Sequence, residues 1–214
     1  MADPRFAYPI VLNLSGRPVL VVGGGAVALR KAQALADAGA DVRVVSPRFV
    51  PEFQKDTRLE CVADAYDAQH VRGRLLVIAA TDEEAVNARV AADARAAGAL
   101  INVVDQPALC DFLVPAVLER GLLRIAISTG GAAPSLARRL RQRLEPQFGP
   151  EYAAYLDVMK EVRRRLQGRR LPQEVRRRLF ERLSEDDILE AARQGREPLR
   201  KVMEAAVETL LAGE

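Results

Sequence analysis

Residues 19–39 read VLVVGGGAVALRKAQALADAG, and this stretch decides the fold. Its first four residues, all apolar and mostly β-branched, predict a short buried strand, and the three glycines that follow predict a tight turn. Apolar residues then recur at helical spacing as far as Ala38, and Gly39 predicts the end of that helix. The next apolar run, Asp41–Val45, predicts a second strand. Together these elements predict a strand–helix–strand unit whose two strands are parallel.

The turn in this unit carries the pattern G-x-G-x-x-A. The pattern occupies Gly23, Gly24, Gly25, Ala26, Val27 and Ala28. The first glycine permits a sharp turn, the third lets backbone approach a pyrophosphate, and Ala28 lets the helix pack closely on the sheet. The helix N-terminus offers unpaired N–H groups and a partial positive charge to phosphates. Because the pattern follows a predicted strand and opens a predicted helix, residues 23–27 are predicted to bind a dinucleotide.

The end of the second predicted strand bears on the choice of dinucleotide. Units that bind NAD usually carry Asp or Glu there, and this carboxylate binds the ribose hydroxyls. Here the chain reads Val45-Ser46-Pro47-Arg48, which contains no carboxylate, and Arg48 would suit a 2′-phosphate. The residues alone therefore leave the choice between NAD and NADP open.

Strand and helix patterns continue to alternate as far as residue 104. Apolar runs predict strands over residues 59–63, 75–80 and 100–104. A helix is predicted to begin at Thr81–Asp82, where a hydroxyl and a carboxylate suit a helix cap, and to run to about Ala97. This alternation favours an α/β protein with a parallel, Rossmann-type sheet.

The pattern changes near residue 111. Residues 112–118 are mostly apolar, an alternating run over 123–128 predicts a strand, and residues 135–144 predict a helix. Only helices are predicted beyond Pro150, over residues 151–167, 173–182, 185–193 and 197–211. The chain is therefore predicted to contain a Rossmann-type domain (1–112), a small mixed segment (113–148) and a helical C-terminal domain (149–214).

Composition and charge narrow the class of protein. The chain has 214 residues, of which 49% are hydrophobic, and a formal net charge of only +3, so a nucleic-acid partner is not expected. Residues 138–182 nevertheless hold 14 Lys or Arg against 6 Asp or Glu, a local surplus of 14 − 6 = +8 that suits an anionic partner. The sequence contains neither an apolar run long enough to span a membrane nor a secretory signal. A cytoplasmic protein without a membrane partner is therefore expected.

Cysteine and histidine are rare in the chain. Cys61 and Cys110 lack metal-ligand spacing and are expected to be free thiols in a reducing compartment. The single histidine, His70, is expected in a turn at the surface rather than on a metal. No bound metal is therefore expected.

Four motifs in a fixed order resemble a known family across about residues 9–145. They are Gly23–Ala32 (GGGAVALRKA), Ala79–Asn87 (AATDEEAVN), Asn102–Asp105 (NVVD) with Phe112 and Pro115, and Ser128–Arg138 (STGGAAPSLAR). The family is the precorrin-2 dehydrogenases, which also form the N-terminal part of the multifunctional siroheme synthases. The helical tail matches this family in layout more than in sequence.

The resemblance implies an NAD-dependent oxidation of precorrin-2, a tetrapyrrole, to sirohydrochlorin in siroheme biosynthesis. Some members of the family also insert ferrous iron, and the sequence leaves this second activity open. The resemblance further implies a homodimer joined through the segment 113–148. It favours NAD as cofactor even though the ribose carboxylate is missing.

The resemblance also carries residue roles onto this chain. It implies cofactor contacts at Gly23, Gly24, Gly25, Ala26, Val27, Pro47, Arg48 and Thr81. It implies substrate contacts at Asn102, Ser128, Thr129, Gly130 and Arg138. Arg138 and its neighbours would meet the carboxylates of the tetrapyrrole, although these arginines also suit a solvated helix face.

Asp105 is the predicted catalytic residue. It follows a predicted parallel strand directly, and open α/β sheets place their chemistry at the carboxyl ends of their strands. A carboxylate there would accept a proton during the oxidation or orient the macrocycle. The alternative is an aspartate that only forms the turn Asp105-Gln106-Pro107.

Two other functions stay open from the residues alone. A different small NAD(P)-linked oxidoreductase would need a Tyr/Lys pair or a catalytic histidine, and neither stands in a suitable pattern. An NAD(P)-responsive Rossmann regulator would bind DNA through a basic helix pair, and residues 173–193 are basic enough for that role.

Overall fold

The computed structural model describes residues 8–212, which fall into two compact units divided between Val114 and Pro115. Within these residues the first unit contains five strands and two α-helices, and the second contains a hairpin of two strands followed by five α-helices. No helix among residues 8–212 is long and apolar enough to cross a membrane.

The first unit is built on a parallel sheet of five strands in the order β3-β2-β1-β4-β5. The strands are β1 (Pro18–Val22), β2 (Asp41–Ser46), β3 (Leu59–Ala63), β4 (Leu76–Ala79) and β5 (Leu100–Val103). Every predicted strand of this unit is confirmed, and each neighbouring pair is parallel. The chain reverses its winding between β1 and β4, and open α/β sheets bind ligands at such a point.

Helices cover both faces of this sheet. Helix α1 (Ala26–Asp37) packs on the face that presents Val19 and Val21, while α2 (Glu84–Ala96) packs on the face that presents Leu20 and Val22. Both faces are thus apolar, which explains why β1 is a continuous apolar run instead of an alternating one.

The N-cap of α2 lies one or two residues later than the sequence predicts. The helix begins at Glu84 and its N-cap is Glu83, whereas Thr81–Asp82 had been predicted as the cap. The reason is a local turn, in which the Thr81 hydroxyl accepts a hydrogen bond from the Glu83 N–H (3.2 Å) before the helix begins.

His70 is buried, with only 9% of its surface exposed, so the expectation that it lies at the surface was wrong. Its Nδ1 accepts the backbone N–H of Asp67 (3.1 Å), and its ring lies 6.2 Å from that of Tyr66. The imidazole therefore closes a short local turn, and its burial beside Tyr66 is not indicated by the polar residues around it.

The second unit starts with an antiparallel pair of strands. Strand β6 (Ala116–Arg120) turns at Gly121 into β7 (Leu123–Ile127), and α3 (Pro134–Leu144) follows. Four more helices complete the unit: α4 (Glu151–Leu166), α5 (Gln173–Arg182), α6 (Asp186–Gln194) and α7 (Arg196–Ala212). The predicted helical C-terminal region is confirmed, and its core contains Leu179, Leu183, Ile188 and Leu199, all fully buried.

Candidate active site

The three glycines after β1 form a turn at the carboxyl edge of the sheet, and each has a different steric environment. Gly23 has φ +132°, a conformation that side chains other than glycine rarely adopt. A Cβ on Gly23 would lie 2.3 Å from the carbonyl oxygen of Ala80, so the turn also approaches the end of β4 too closely for any side chain. Its N–H donates to the carbonyl of Val45 (2.9 Å), which fixes the turn to the end of β2.

Gly24 is required by the segment that follows β2. A Cβ on Gly24 would lie 1.8 Å from the carbonyl oxygen of Arg48 and 2.6 Å from Ser46 Oγ. This segment is itself closed by a hydrogen bond from Ser46 Oγ to the Arg48 carbonyl (2.7 Å), and the Val50 N–H donates to the Gly24 carbonyl (2.9 Å). The sequence assigned Gly24 no separate steric role, because these contacts join residues about 20 positions apart.

No steric contact inside the described part of the chain explains why residue 25 is a glycine. Its φ of −86° and ψ of 179° suit any residue, and apart from Gly25 and its two chain neighbours no atom of residues 8–212 lies within 4 Å of the position that a Cβ would take. Gly25 is also the N-cap of α1, a position that glycine commonly occupies but at which it supplies no side-chain hydrogen bond to the helix. The position beside Gly25 is therefore open at the N-terminus of α1.

The N-terminus of α1 meets the requirements for a pyrophosphate. In the described part of the chain no side chain caps this helix end, so its first N–H groups are free for a ligand. Ala26 and Val27, the first helical residues, are exposed, and Val27 is 38% exposed although apolar. The open glycine position and the uncapped helix end together fit a dinucleotide.

Pro47 and Arg48 lie beside this turn. Both are exposed and follow the end of β2, where the sequence predicted them. The backbone of Arg48 is held by Ser46 and packs against Gly24, whereas its side chain reaches solvent.

Thr81 lies at the end of β4, but its hydroxyl is engaged inside the protein. Thr81 Oγ1 donates to Asn87 Oδ1 (2.8 Å), and Asn87 Nδ2 donates to the Thr81 carbonyl (2.9 Å). Asn87 is only 4% exposed, so it fixes this turn from within. In the sequence Asn87 is only one residue of the motif AATDEEAVN, which does not show this role. The predicted contact of Thr81 with the cofactor stays a prediction.

Asp105 follows β5 and is exposed at the same edge of the sheet. Its φ of +59° makes it the one non-glycine residue between 8 and 212 in the left-handed region. Aspartate tolerates this conformation better than most residues, yet the conformation still costs about 1–2 kcal/mol. Such outliers cluster at functional sites, where the surroundings enforce them.

Lys31, on α1, lies within the electrostatic reach of Asp105. Burial lowers the pKa of its ammonium group, Arg30 lowers it further, and the Asp105 carboxylate acts in the opposite direction. Nothing in the sequence marks this lysine, because helical spacing alone does not show that it lies within electrostatic reach of Asp105.

The side chain of Asn102, on β5, is buried inside the first unit. Its Nδ2 donates to the carbonyl of Phe112 (3.0 Å) and lies 3.5 Å from Cys110 Sγ. Its predicted contact with substrate stays a prediction, and its observed role is to hold the segment that returns along β5.

The remaining predicted substrate residues lie in the second unit, around the loop between β7 and α3. Ser128 Oγ accepts the N–H of Gly130 (3.1 Å), and Thr129 Oγ1 accepts the N–H of Ala133 (3.0 Å). Gly130 has φ +62°, and Arg138 is exposed on α3. The structure thus brings these four predicted residues together on one loop and the helix that follows it.

Among the residues described, no group of three or more His, Cys, Asp or Glu is arranged to hold a metal ion.

A parallel sheet with a glycine turn at its switch point defines a dinucleotide-binding protein of the Rossmann type. The chain belongs to the family described as "Putative NAD(P)-binding", whose model matches residues 10–116. A second family model, described as "Sirohaem biosynthesis protein central", matches residues 120–147.

Curated relatives are longer than this chain. A siroheme synthase of Ectopseudomonas mendocina is 44% identical over 173 residues, which cover 80% of this chain and 37% of that protein. A siroheme synthase of Azotobacter vinelandii is 40% identical over 209 residues, which cover 96% of this chain and 44% of that protein. The chain therefore spans less than half of the length of these relatives.

A solved structure named "SirC, precorrin-2 dehydrogenase" has the same fold. The two superpose with a TM-score of 0.73 at 24% sequence identity, covering 94% of this chain and 99% of that one. The similarity extends through the helical region as well as the sheet.

Proposed function

We propose that this chain oxidises precorrin-2 to sirohydrochlorin with NAD as hydride acceptor, in the biosynthesis of siroheme. The observation that carries the coenzyme part is the open position at Gly25 beside the uncapped N-terminus of α1. The choice of substrate rests on the siroheme synthases that resemble the chain and on the family model matched by residues 120–147. NAD rather than NADP rests on the resemblance to this family.

The chemistry divides between the coenzyme and the chain. Oxidation of precorrin-2 removes a hydride and a proton, and bound NAD supplies the hydride acceptor. The first turn of α1 would bind the pyrophosphate through backbone N–H groups, and Gly25 would leave room for it. Asp105, exposed at the carboxyl edge of the sheet, would accept the proton or orient the macrocycle.

The charge of the second unit suits a substrate with many carboxylates. Arg138 and Arg139 are exposed on α3, and residues 163–178 contain eight arginines and one glutamate. Arginine matches carboxylates with paired donors, so it is well suited to bind a polycarboxylate. A field of this kind would also attract the substrate over a distance of about one Debye length.

The test is an anaerobic incubation of the purified chain with precorrin-2 and NAD, followed by absorption spectroscopy. Conversion to the sirohydrochlorin spectrum, with NADH formed in equal amount, is the expected result. A parallel reaction with NADP tests the coenzyme choice, and NADP turnover equal to that with NAD would contradict it. A chain that binds NAD but leaves precorrin-2 unchanged would contradict the proposed substrate.

A further incubation with sirohydrochlorin and ferrous iron tests iron insertion, which is proposed here only as an added activity of the same chain. Siroheme formation above the rate without protein would establish it, and an unchanged rate would restrict the chain to the oxidation.

We also propose that the reaction takes place in the cytoplasm, where free thiols such as Cys61 and Cys110 stay reduced.

The protein is further proposed to form a homodimer through residues 113–148. Strands β6 and β7 form a sheet of only two strands, which is marginally stable by itself, and three large apolar side chains of this segment are exposed. They are Val114 (51%), Leu122 (52%) and Leu136 (42%). A concentration-independent monomer mass in sedimentation at micromolar protein would contradict the dimer.

The regulator alternative is disfavoured by the charge of α6. In a helix-turn-helix the N-terminal residues of the second helix contact DNA bases. Here α5 and α6 would be that pair, and α6 follows Glu185 and begins with Asp186 and Asp187. These three acidic residues would repel the phosphates, so an electrophoretic shift with DNA is expected to be absent.

A further inference from the structure

Strand β5 is the last strand of the sheet, so one of its edges has no neighbouring strand. Residues 110–112 return along this edge. The N–H of Asp111 donates to the carbonyl of Ile101 (2.8 Å), and Asp111 Oδ2 accepts the N–H of Ile101 (3.2 Å). Cys110 Sγ accepts the N–H of Val103 (3.1 Å) and donates to the Val103 carbonyl (3.2 Å). A thiol and a carboxylate therefore satisfy backbone groups that a sixth strand would otherwise pair.

The second oxygen of Asp111 joins this segment to α2. Arg95 Nε donates to Asp111 Oδ1 (3.1 Å), and Arg95 Nη2 donates to the carbonyl of Leu109 (2.9 Å). One carboxylate thus connects the edge of β5, the returning segment and a helix.

The segment held in this way is the loop that carries Asp105. At its start the N–H of Val104 donates to the carbonyl of Ala79 (2.9 Å), and at its end Cys110 and Asp111 are bonded to β5. Asp105 lies between these anchors in the left-handed conformation, with its own side chain exposed. A strained residue keeps such a conformation only when its surroundings enforce it. Here the Gln106 N–H donates to the Val103 carbonyl (3.3 Å) and closes a turn across Asp105, and Cys110 Sγ lies 3.4 Å from the Gln106 carbonyl. These contacts act together with those at the two ends of the loop.

We infer that Asp111 is a positioning residue for the proposed reaction, because it closes the edge of β5 and thereby holds Asp105 at the site. The inference rests on the proposed function, since it concerns the residue that would contact the substrate. Arg95 acts through Asp111, and neither of them is assigned contact with coenzyme or substrate.

The test compares Asp111→Ala with Asp111→Asn in the full chain. Alanine removes both acceptor oxygens and is expected to lower kcat about 10- to 100-fold, since displacements near 1 Å cost about 10²-fold. Asparagine keeps an acceptor for the N–H of Ile101 but places an amide N–H₂ against Arg95, so it is expected to lower kcat by about three- to tenfold, less than alanine does. The Kd of NAD, measured by calorimetry, should change less than about twofold in both variants, because the glycine turn is untouched.

Two further measurements separate positioning from a purely structural role. Hydrogen exchange at the Ile101 amide should accelerate in Asp111→Ala. Asp111→Ala should lower the melting temperature both in the wild type and in an Asp105→Ala background, and in that background it should cause no further loss of rate. The matched control is Glu60→Ala, which removes the ion pair with Arg43 (2.8 Å) at the opposite edge of the sheet and should leave the rate unchanged.

The outcomes distinguish this inference from the proposed function. The positioning role is wrong if the Ile101 amide of Asp111→Ala exchanges faster but the variant turns over at the wild-type rate. It is also wrong if the rate losses of Asp105→Ala and Asp111→Ala multiply. Neither result contradicts the proposed oxidation of precorrin-2. If Asp105→Ala itself is fully active, the catalytic assignment fails first. Should Asp111→Ala not fold, Arg95→Gln on the exposed side of α2 is the substitute, and an unchanged kcat would then overturn the inference.

Discussion

The two turns at the carboxyl edge of the sheet are fixed in different ways. The turn after β1 is specified by its own three glycines, and each of the three positions has a different reason to lack a side chain. The loop after β5 carries an exposed Asp105 in a strained conformation and is held by side chains at residues 95, 110 and 111. Backbone specifies the proposed coenzyme site, and side-chain contacts specify the proposed catalytic site.

This difference determines how each turn should respond to substitution. In the glycine turn, a side chain added at Gly23 or Gly24 would collide with the protein, whereas one added at Gly25 would fill the space proposed for the ligand. The position of the substitution therefore decides whether stability or ligand binding is lost. In the loop after β5 the exposed carboxylate can be removed without disturbing the core.

Asp105→Ala is expected to lower the rate of sirohydrochlorin formation by about 10²–10⁴-fold, as loss of a general base does. Folding and NAD binding should persist, since Asp105 is exposed. Asp105→Asn keeps hydrogen bonding but cannot take a proton, so near-normal turnover of this variant would make Asp105 an orienting group. Normal turnover of Asp105→Ala with NAD bound would remove the catalytic assignment entirely.

Gly25→Val is expected to abolish NAD binding while leaving the fold intact. The backbone at Gly25 suits any residue and the Cβ position is open, so valine would occupy only the proposed pyrophosphate site. Calorimetry with NAD and a thermal melt of the same sample measure the two properties. Unchanged NAD affinity would show that the coenzyme binds elsewhere.

Gly24→Ala is expected to lower the free energy of unfolding by about 1–3 kcal/mol, because its Cβ would collide with the Arg48 backbone. Urea denaturation measures this loss, and Gly25→Ala is the matched control at the neighbouring glycine. Equal stability of the two variants would contradict the steric distinction between Gly24 and Gly25.

Lys31→Met is expected to have the smallest effect, a gain in the free energy of unfolding of less than about 1 kcal/mol at neutral pH. Burial lowers the pKa of Lys31 in the folded chain, so the unfolded chain binds this proton more tightly. The wild type should therefore gain stability as the pH rises through the lowered pKa, and the advantage of methionine should shrink. Urea melts between pH 7 and 10 test this, and an advantage that grows with pH would contradict it.

Elements with strong local signals were predicted well. The five strands, the helix after the glycine turn and the helical C-terminal region follow from apolar periodicity and from glycine punctuation, which act over a few residues. The start of α2 was misplaced because Thr81 closes a turn with Glu83 before the helix begins. His70 was misplaced because a hydrogen bond to the backbone at Asp67 and contact with Tyr66 draw a polar ring inside.

The dinucleotide turn follows from the sequence alone, since the pattern Gly23-x-Gly25-x-x-Ala28 between a predicted strand and a predicted helix identifies it. The sequence also placed Asp105 at the end of a parallel strand. Only the tertiary structure revealed the contact of Gly24 with the Arg48 segment, the left-handed conformation of Asp105 and the attachment of its loop through Cys110, Asp111 and Arg95. These features join residues distant in sequence, and no periodicity or short motif encodes a contact that exists only after the sheet has formed.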